Sequence, residues 1–243
     1  MRNKLLLVLL ALSALAITGC NKLQARDNLN HGVRAFREAH YEDAIRYFKE
    51  AIQLDPELTN AQLYLATAYA QQFIPGAPSP ENVKNAEMAI QEFQKVIQRD
   101  PNNIGAIAGL ASIYQNTVRF DDAKKLYVRQ AQLSPEDPVT SYSVGSINWW
   151  MLADRSNPRS PEEKGQLIEE GLKYLDRAIQ INPDYEDAIS FKNLLYRQKA
   201  EIAATPDEKK QWEDEADKWF NAALDARKRN AEKKKQTGIV LEK

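Results

Sequence analysis

Cysteine is almost absent: Cys20 is the only one in 243 residues. No intramolecular disulfide can form, and one cysteine with two histidines leaves no ligand set for a structural zinc. Glycine is scarce too, at nine residues, and charged residues reach 28%, a balance that suits a helix-rich globular chain better than a disordered one. Charge of one sign is lacking: the formal net charge is −1, and loss of Arg2 and Lys4 would bring it only to about −3. That excludes the basic footprint of a nucleic-acid binder. Catalytic signatures are missing as well. There is no G-x-x-x-x-G-K-[ST], G-x-S-x-G or H-E-x-x-H. His31 and His40 have no serine or cysteine motif beside them, and Asp121-Asp122 read as helix-start charges rather than an acid/base pair. The expectation is a protein with no enzymatic activity, no cofactor and no metal.

Long hydrophobic runs are missing except at the start. Leu5 to Ile17, broken only by Ser13, falls short of the roughly 20 residues that cross a bilayer. Arg2 and Lys4 precede it, so residues 1–19 read as a secretory signal. Its ending, Ile17-Thr18-Gly19-Cys20, resembles a bacterial lipobox. The resemblance implies that Cys20 takes a diacylglyceryl group, that cleavage makes it the first residue, and that residues 20–24 form a lipidated tether. Two or more acyl chains anchor stably, at about 0.8 kcal/mol per buried CH₂. Asn21, where an aspartate would imply inner-membrane retention, leans towards an outer membrane facing the periplasm, or the cell surface if there is none. The alternative is an ordinary signal with an incidental cysteine.

The rest of the chain is organised around Ile104 to Asp137. This stretch holds two helical patterns, small residues at Ala111 and Ala123, large apolar ones at Leu110, Tyr114, Phe120 and Tyr127, and a closing Pro135. The spacing resembles the tetratricopeptide repeat, whose period is 34 residues. Four further copies are expected in register, giving repeats at about 25–58, 59–103, 104–137, 138–185 and 186–230. Gly32, Ala66 and Gly145 take the close-packing position of the first helix, helix A; Phe48, Phe93, Leu175 and Phe220 line the second, helix B. Pro56, Pro101, Pro135 and Pro183 are stops, with gaps of 45, 34 and 48, two of which exceed the period by 11 and 14. Repeat five matches worst, with Asn193 at the small-residue position. The resemblance implies an all-α fold, a right-handed α-solenoid of about five helix pairs.

Insertions fall at the A-to-B turn and end in Ser79-Pro80, Ser160-Pro161 and Thr205-Pro206. Ser or Thr caps a helix N-terminus and proline is preorganised behind it. Ser160 with Glu163, and Thr205 with Glu208, are spaced as capping boxes. Each insertion therefore reads as a loop plus a lengthened helix B, and together they are expected to build a ridge. Gly171, within the fourth helix B, carries an expected propensity penalty of about 1 kcal/mol. From Pro206 to Lys235 the pattern is one long helix whose terminal cations complement its dipole or meet an anionic surface. Residues 231–243 form a basic tail, expected to fray from Gln236.

In the family the concave surface carries function, with ligand-facing positions 2, 5, 9, 12 and 13 of each repeat. Carried over, these give Arg26, Leu29, Val33, Phe36 and Arg37; Asn60, Leu63, Thr67, Ala70 and Gln71; Gly105, Ala108, Ser112, Gln115 and Asn116; Val139, Tyr142, Ser146, Trp149 and Trp150; and Asp187, Ser190, Leu194, Arg197 and Gln198. The polar and aromatic members suit backbone pairing and anchoring. Trp149 and Trp150 have a second reading, as packing beneath the neighbouring insertion. Leu29 and Val33 stand where chaperone-binding members have a lysine and an asparagine, so the carboxylate clamp is absent. The expected function is a lipid-anchored scaffold for envelope proteins or peptides. The alternatives are a structural subunit of an outer-membrane machine, similar to secretin pilotins or assembly lipoproteins, and a homodimer with a second copy's C-terminal helix in the groove. The insertions are too short to hold a hidden hydrolase.

Overall fold

A computed structural model describes the backbone of residues 2–236 and the side chains of residues 20–236. The side chains of residues 1–19, where a signal is expected, and residues 237–243 of the expected tail lie outside the described residues. Ten helices and no strand occur among the described residues. They form two compact units, Met1–Thr117 and Val118–Lys243.

The first unit holds α1 (Arg2–Arg37), α2 (Tyr41–Leu54), α3 (Thr59–Gln72), α4 (Pro80–Arg99) and α5 (Ile104–Asn116). α1 runs unbroken through residues 20–24, so the expected tether is helical. α2 shows how the sequence makes such an element. Glu42 and Asp43 sit in its first turn against the dipole, and Ala44, Phe48 and Ala51 recur on one buried face. It ends at Asp55, pushed into extended geometry by Pro56. Gly32 lets α1 approach, because a Cβ there would collide with the Phe48 ring. Gly109 does the same for α5 above Phe93.

The second unit holds α6 (Phe120–Leu133), α7 (Pro138–Ala153), α8 (Pro161–Ile181), α9 (Glu186–Glu201) and α10 (Pro206–Gln236). α7 and α8 cross at two facing glycines: a Cβ on Gly145 would lie 3.2 Å from the Gly171 carbonyl oxygen. Gly171 is therefore a packing residue, also facing Leu195, and its helix-propensity penalty is offset by this approach. Asn193, where the other repeats keep a small residue, is buried and donates its side-chain N–H to the Ala216 carbonyl of α10. The worst repeat match is a polar staple.

Insertions lengthen the helices that follow them. α2 and α6 have 14 residues each, whereas α4, α8 and α10 have 20, 21 and 31. Ser160 and Glu163 form a full capping box, at 3.2 and 2.8 Å. Thr205 accepts from Glu208 N–H, but Glu208 reaches back to Ala204 N–H rather than to Thr205. The turns without insertions close differently, each on a single left-handed residue, Ala39 (φ 59°) and Val118 (φ 61°).

Candidate protein-binding faces

In the first unit, Arg26, Arg37, Asn60, Gln71, Ser112 and Asn116 are exposed, and Gln115 is half-buried. They sit on α1, α3 and α5; the amides and the serine can both donate and accept hydrogen bonds, and the two arginines donate only. Thr67 is different: its hydroxyl donates to the Leu63 carbonyl at 2.8 Å, a common outcome for threonine within a helix. Phe36 meets Tyr41 and Tyr64 edge-on, at ring separations of 5.4 and 6.4 Å. Tyr64, which the repeat positions pass over, stacks on Phe48 at 5.6 Å.

In the second unit the helix-A face is aromatic. Tyr142 contacts Tyr185 at 5.2 Å and Phe191 at 5.6 Å. Phe191 also meets Trp149 edge-on at 5.6 Å, and Trp149 meets Trp150 at 4.9 Å. The four rings Tyr142, Phe191, Trp149 and Trp150 thus form a continuous edge-to-face row across α7 and α9, an arrangement favoured by the ring quadrupoles. Tyr142 and Trp149 pack against the core that α8 and α9 form around Leu175 and Leu195. Trp150 is 39% exposed and is the open end of the row. Burial raises the Tyr142 phenol above its usual range, with the Asp187 charge adding to it; burial and Tyr142 push Tyr185 up to about 12. Both rings stay neutral near neutral pH.

Ser146 has to be corrected. It is 5% exposed, and its hydroxyl donates to the Ser143 carbonyl at 3.1 Å, so it offers nothing to a ligand. Arg197 is exposed and pairs with Asp217 at 3.1 Å, while Gln198 is half-buried. Phe191 and Tyr185 complete the aromatic face although neither falls at a carried-over position.

The insertions are ordered by their own side chains. Asn82 holds the first: it accepts from Ile74 N–H at 2.7 Å and donates to the Ile74 and Ala77 carbonyls at 2.8 and 2.9 Å. In the second, Arg159 donates to Asp121 of α6 at 2.8 Å. It closes one side of a cavity of about 570 Å³ floored by Val128, Met151 and Leu167. The basic residues of α10 are engaged too. Arg229 and Lys233 hold the Asp184 carboxylate at 2.7 and 2.6 Å, and Asn230 donates to its carbonyl at 2.9 Å. These contacts dock the helix against the start of α9 and favour the capping role over an anionic surface.

No cluster of metal-ligating side chains occurs among the described residues, and no described helix is long and apolar enough to cross a membrane. Cys20 is exposed on α1.

The sequence pattern of the tetratricopeptide repeat matches residues 35–58. A segment of the Homo sapiens protein O-mannosyl-transferase TMTC3 is 27% identical over 209 residues, covering 81% of this chain. The chain spans between about an eighth and a quarter of the length of the curated relatives it matches. Among solved structures, that of the MamA protein superposes with a TM-score of 0.65 at 18% identity, covering 86% of this chain and 94% of that one. YrrB, described as a TPR protein with an unusual peptide-binding site, gives 0.58 at 16% identity, covering 83% and 90%.

Proposed function

We propose, from the tetratricopeptide-repeat fold this chain carries, that it is a non-catalytic scaffold for partner proteins, anchored in the bacterial cell envelope through lipid on Cys20. The helix-A faces hold extended segments of those partners. The observation that carries this is the aromatic row of α7 and α9. Three rings are fixed by packing, and Trp150 stands open at the end, a rigid anchor that loses little entropy on binding. In the first unit, the exposed amides of Asn60, Gln71 and Asn116 suit hydrogen bonding to a peptide backbone. The unusual peptide-binding site of YrrB supports the same use of this fold. Mannosyl transfer does not carry over from TMTC3, because the match spans 21% of that protein.

Exposure of Cys20 at the end of a short basic and apolar leader supports the anchor. The outer membrane is the preferred address because Asn21 follows it. A second reading, a structural subunit of an outer-membrane machine, is supported by the built second insertion, where the Ser160 cap and the Arg159–Asp121 pair hold a shaped surface.

Photo-crosslinking in cells separates the two. A probe at Trp150 should capture one partner, and a probe at Asn157, exposed on the insertion, should capture none. Capture of several envelope proteins from both sites would establish the machine subunit, and silence at Trp150 would remove the groove reading. Cys20→Ser should move the protein from the membrane fraction to the soluble one; retention in the membrane would refute the anchor.

A further inference from the structure

One position of the repeat has a different fate at the end of the chain. Phe48, Phe93, Tyr127 and Leu175 occupy equivalent sites on α2, α4, α6 and α8, and each is 0–8% exposed. Phe220 holds the same site on α10 and is 49% exposed. The reason is what lies over it. Tyr64 of α3 stacks on Phe48, Gly109 of α5 meets Phe93, and Leu195 of α9 shares a core cluster with Leu175. In each case the next helix A covers the preceding helix B. Nothing among the described residues covers α10.

The uncovered surface is a groove rather than a bald helix. α9 contributes Ser190 and Leu194, and α10 contributes Phe220, Ala223 and Leu224, with Leu224 itself 41% exposed. Ion pairs close both ends, Glu186 with Arg227 at 3.9 Å and Arg197 with Asp217 at 3.1 Å. From Glu186 to Arg197 the groove runs about 16 Å along α9, three helical turns. Its middle is apolar and its ends are charge-balanced.

We propose that this groove seats one amphipathic helix of a partner protein, about three turns long, in the place an eleventh helix would take. The occupant presents a glycine or alanine to Phe220, as α5 presents Gly109 to Phe93, and an uncharged apolar stripe to Leu194 and Leu224. The groove shares Ser190, Leu194 and Arg197 with the helix-A face of repeat five and to that extent rests on the proposed scaffold function, but it adds the open side of α10 and takes a helix rather than an extended segment. Counted back along α10, Phe220 lies about 24 Å from Gln236, and the five residues to Leu241 span at most about 18 Å, so the apolar triplet Ile239 to Leu241 falls short of the Phe220 end of the groove. Stacking of a second copy through α1 is disfavoured by charge. The α1 face equivalent to a covering helix carries exposed Asp27, Asn30 and Arg34, which would be desolvated against Phe220.

The test uses the full-length protein and a hydrocarbon-stapled peptide of residues 104–116, the helix that covers Phe93, read by fluorescence anisotropy. Saturable binding is expected, weakened at least about tenfold by Leu224→Lys and by Gly109→Leu in the peptide, and unchanged by Trp150→Ala. Leu224 is solvent-facing, so the circular dichroism melt of the Leu224→Lys protein should match wild type. No saturable binding up to about 1 mM peptide, or binding indifferent to Leu224→Lys, would overturn the proposal. So would a wild-type dimer in sedimentation that Leu224→Lys converts to monomer, since a second copy would then be the occupant.

Discussion

Gly145→Ala should destabilise the second unit even though alanine is the better helix former. A Cβ at Gly145 would lie 2.5 Å from Leu175 Cγ and 3.2 Å from the Gly171 carbonyl oxygen. Leu175 is fully buried in a packed core, so turning its side chain away from a new methyl would drive it into other neighbours. The carbonyl belongs to α8, so relief requires the two helices to part. Overpacking of this kind costs about 1–3 kcal/mol, with rigid neighbours putting it near the top of that range. Replacing a helical glycine returns about 1 kcal/mol. The net expectation is a loss of about 2 kcal/mol, or a melting temperature lower by about 4–8 °C. Gly171→Ala is the internal control. Its Cβ would meet Leu195 Cδ1 at 2.6 Å, the far end of a flexible side chain, with the next contact at 3.3 Å. There the two effects nearly cancel, and the change should stay within about 0.5 kcal/mol. Trp149, Trp150, Trp212 and Trp219 are the only tryptophans, and all lie in the second unit. Urea unfolding followed by tryptophan fluorescence therefore reads that unit. A Gly145→Ala protein as stable as wild type, or less affected than Gly171→Ala, would refute the close-approach reasoning.

Asn82→Ala removes three hydrogen bonds that hold residues 74–77, and should cost about 1–2 kcal/mol because the exposed loop regains water; faster proteolytic cleavage within 73–79 checks it. Val118→Gly relieves a β-branched residue at φ 61°, and with the side chain 57% exposed there is little packing to lose. A gain of about 1 kcal/mol is expected in denaturant titration, and a loss would show that its conformation is not strained. Hydrogen bonds from Lys233 and then Arg229 hold the Asp184 carboxylate below its usual range. A lowered folded pKa gives stability that is present above the unfolded value of about 3.9 and is lost as pH falls through the folded one. Hydrogen exchange of α10 should accelerate below about pH 4 in wild type, and Asp184→Asn should abolish that acid-dependent step.

The parts of this fold that are legible in sequence are those whose cause is local. Ser160 and Glu163 are three residues apart, and their box forms from that spacing alone. The lengthened α4, α8 and α10 follow from caps and prolines in the same way. Asn193 is opaque for the opposite reason: its partner is a carbonyl 23 residues away, so an asparagine in place of a small residue looks like decay rather than a staple. Ser146 misleads because position counting assigns it a face, while its hydroxyl can satisfy itself on the preceding turn. Tyr64 and Phe191 escape because each sits at the sixth position of its repeat, outside the ligand-facing set. An aromatic at that position in two repeats was the available signal. Asn82 gave none, since an asparagine two residues into a helix reads as an ordinary first-turn residue.

The two units differ in what their helix-A faces can recognise, and the difference lies in side-chain chemistry rather than fold. On the first unit, Asn60, Gln71, Ser112 and Asn116 are exposed and short or amide-bearing, chemistry that suits hydrogen bonding to a backbone, which every peptide possesses. Such contacts add little discrimination, because a neutral hydrogen bond exchanged with water contributes only about 0.5–1.5 kcal/mol. On the second unit the ring row removes apolar surface from water, and one anchored aromatic or aliphatic side chain contributes about 1.5–3 kcal/mol. Selectivity should therefore reside with Trp150 and its supporting rings. Trp150→Ala is expected to weaken a cognate segment by about 2 kcal/mol, roughly 30-fold, whereas Asn60→Ala should cost less than about 1 kcal/mol. Isothermal titration with the segment captured at Trp150 decides it. A larger loss from Asn60→Ala than from Trp150→Ala would mean that the amide face, not the aromatic one, chooses the partner.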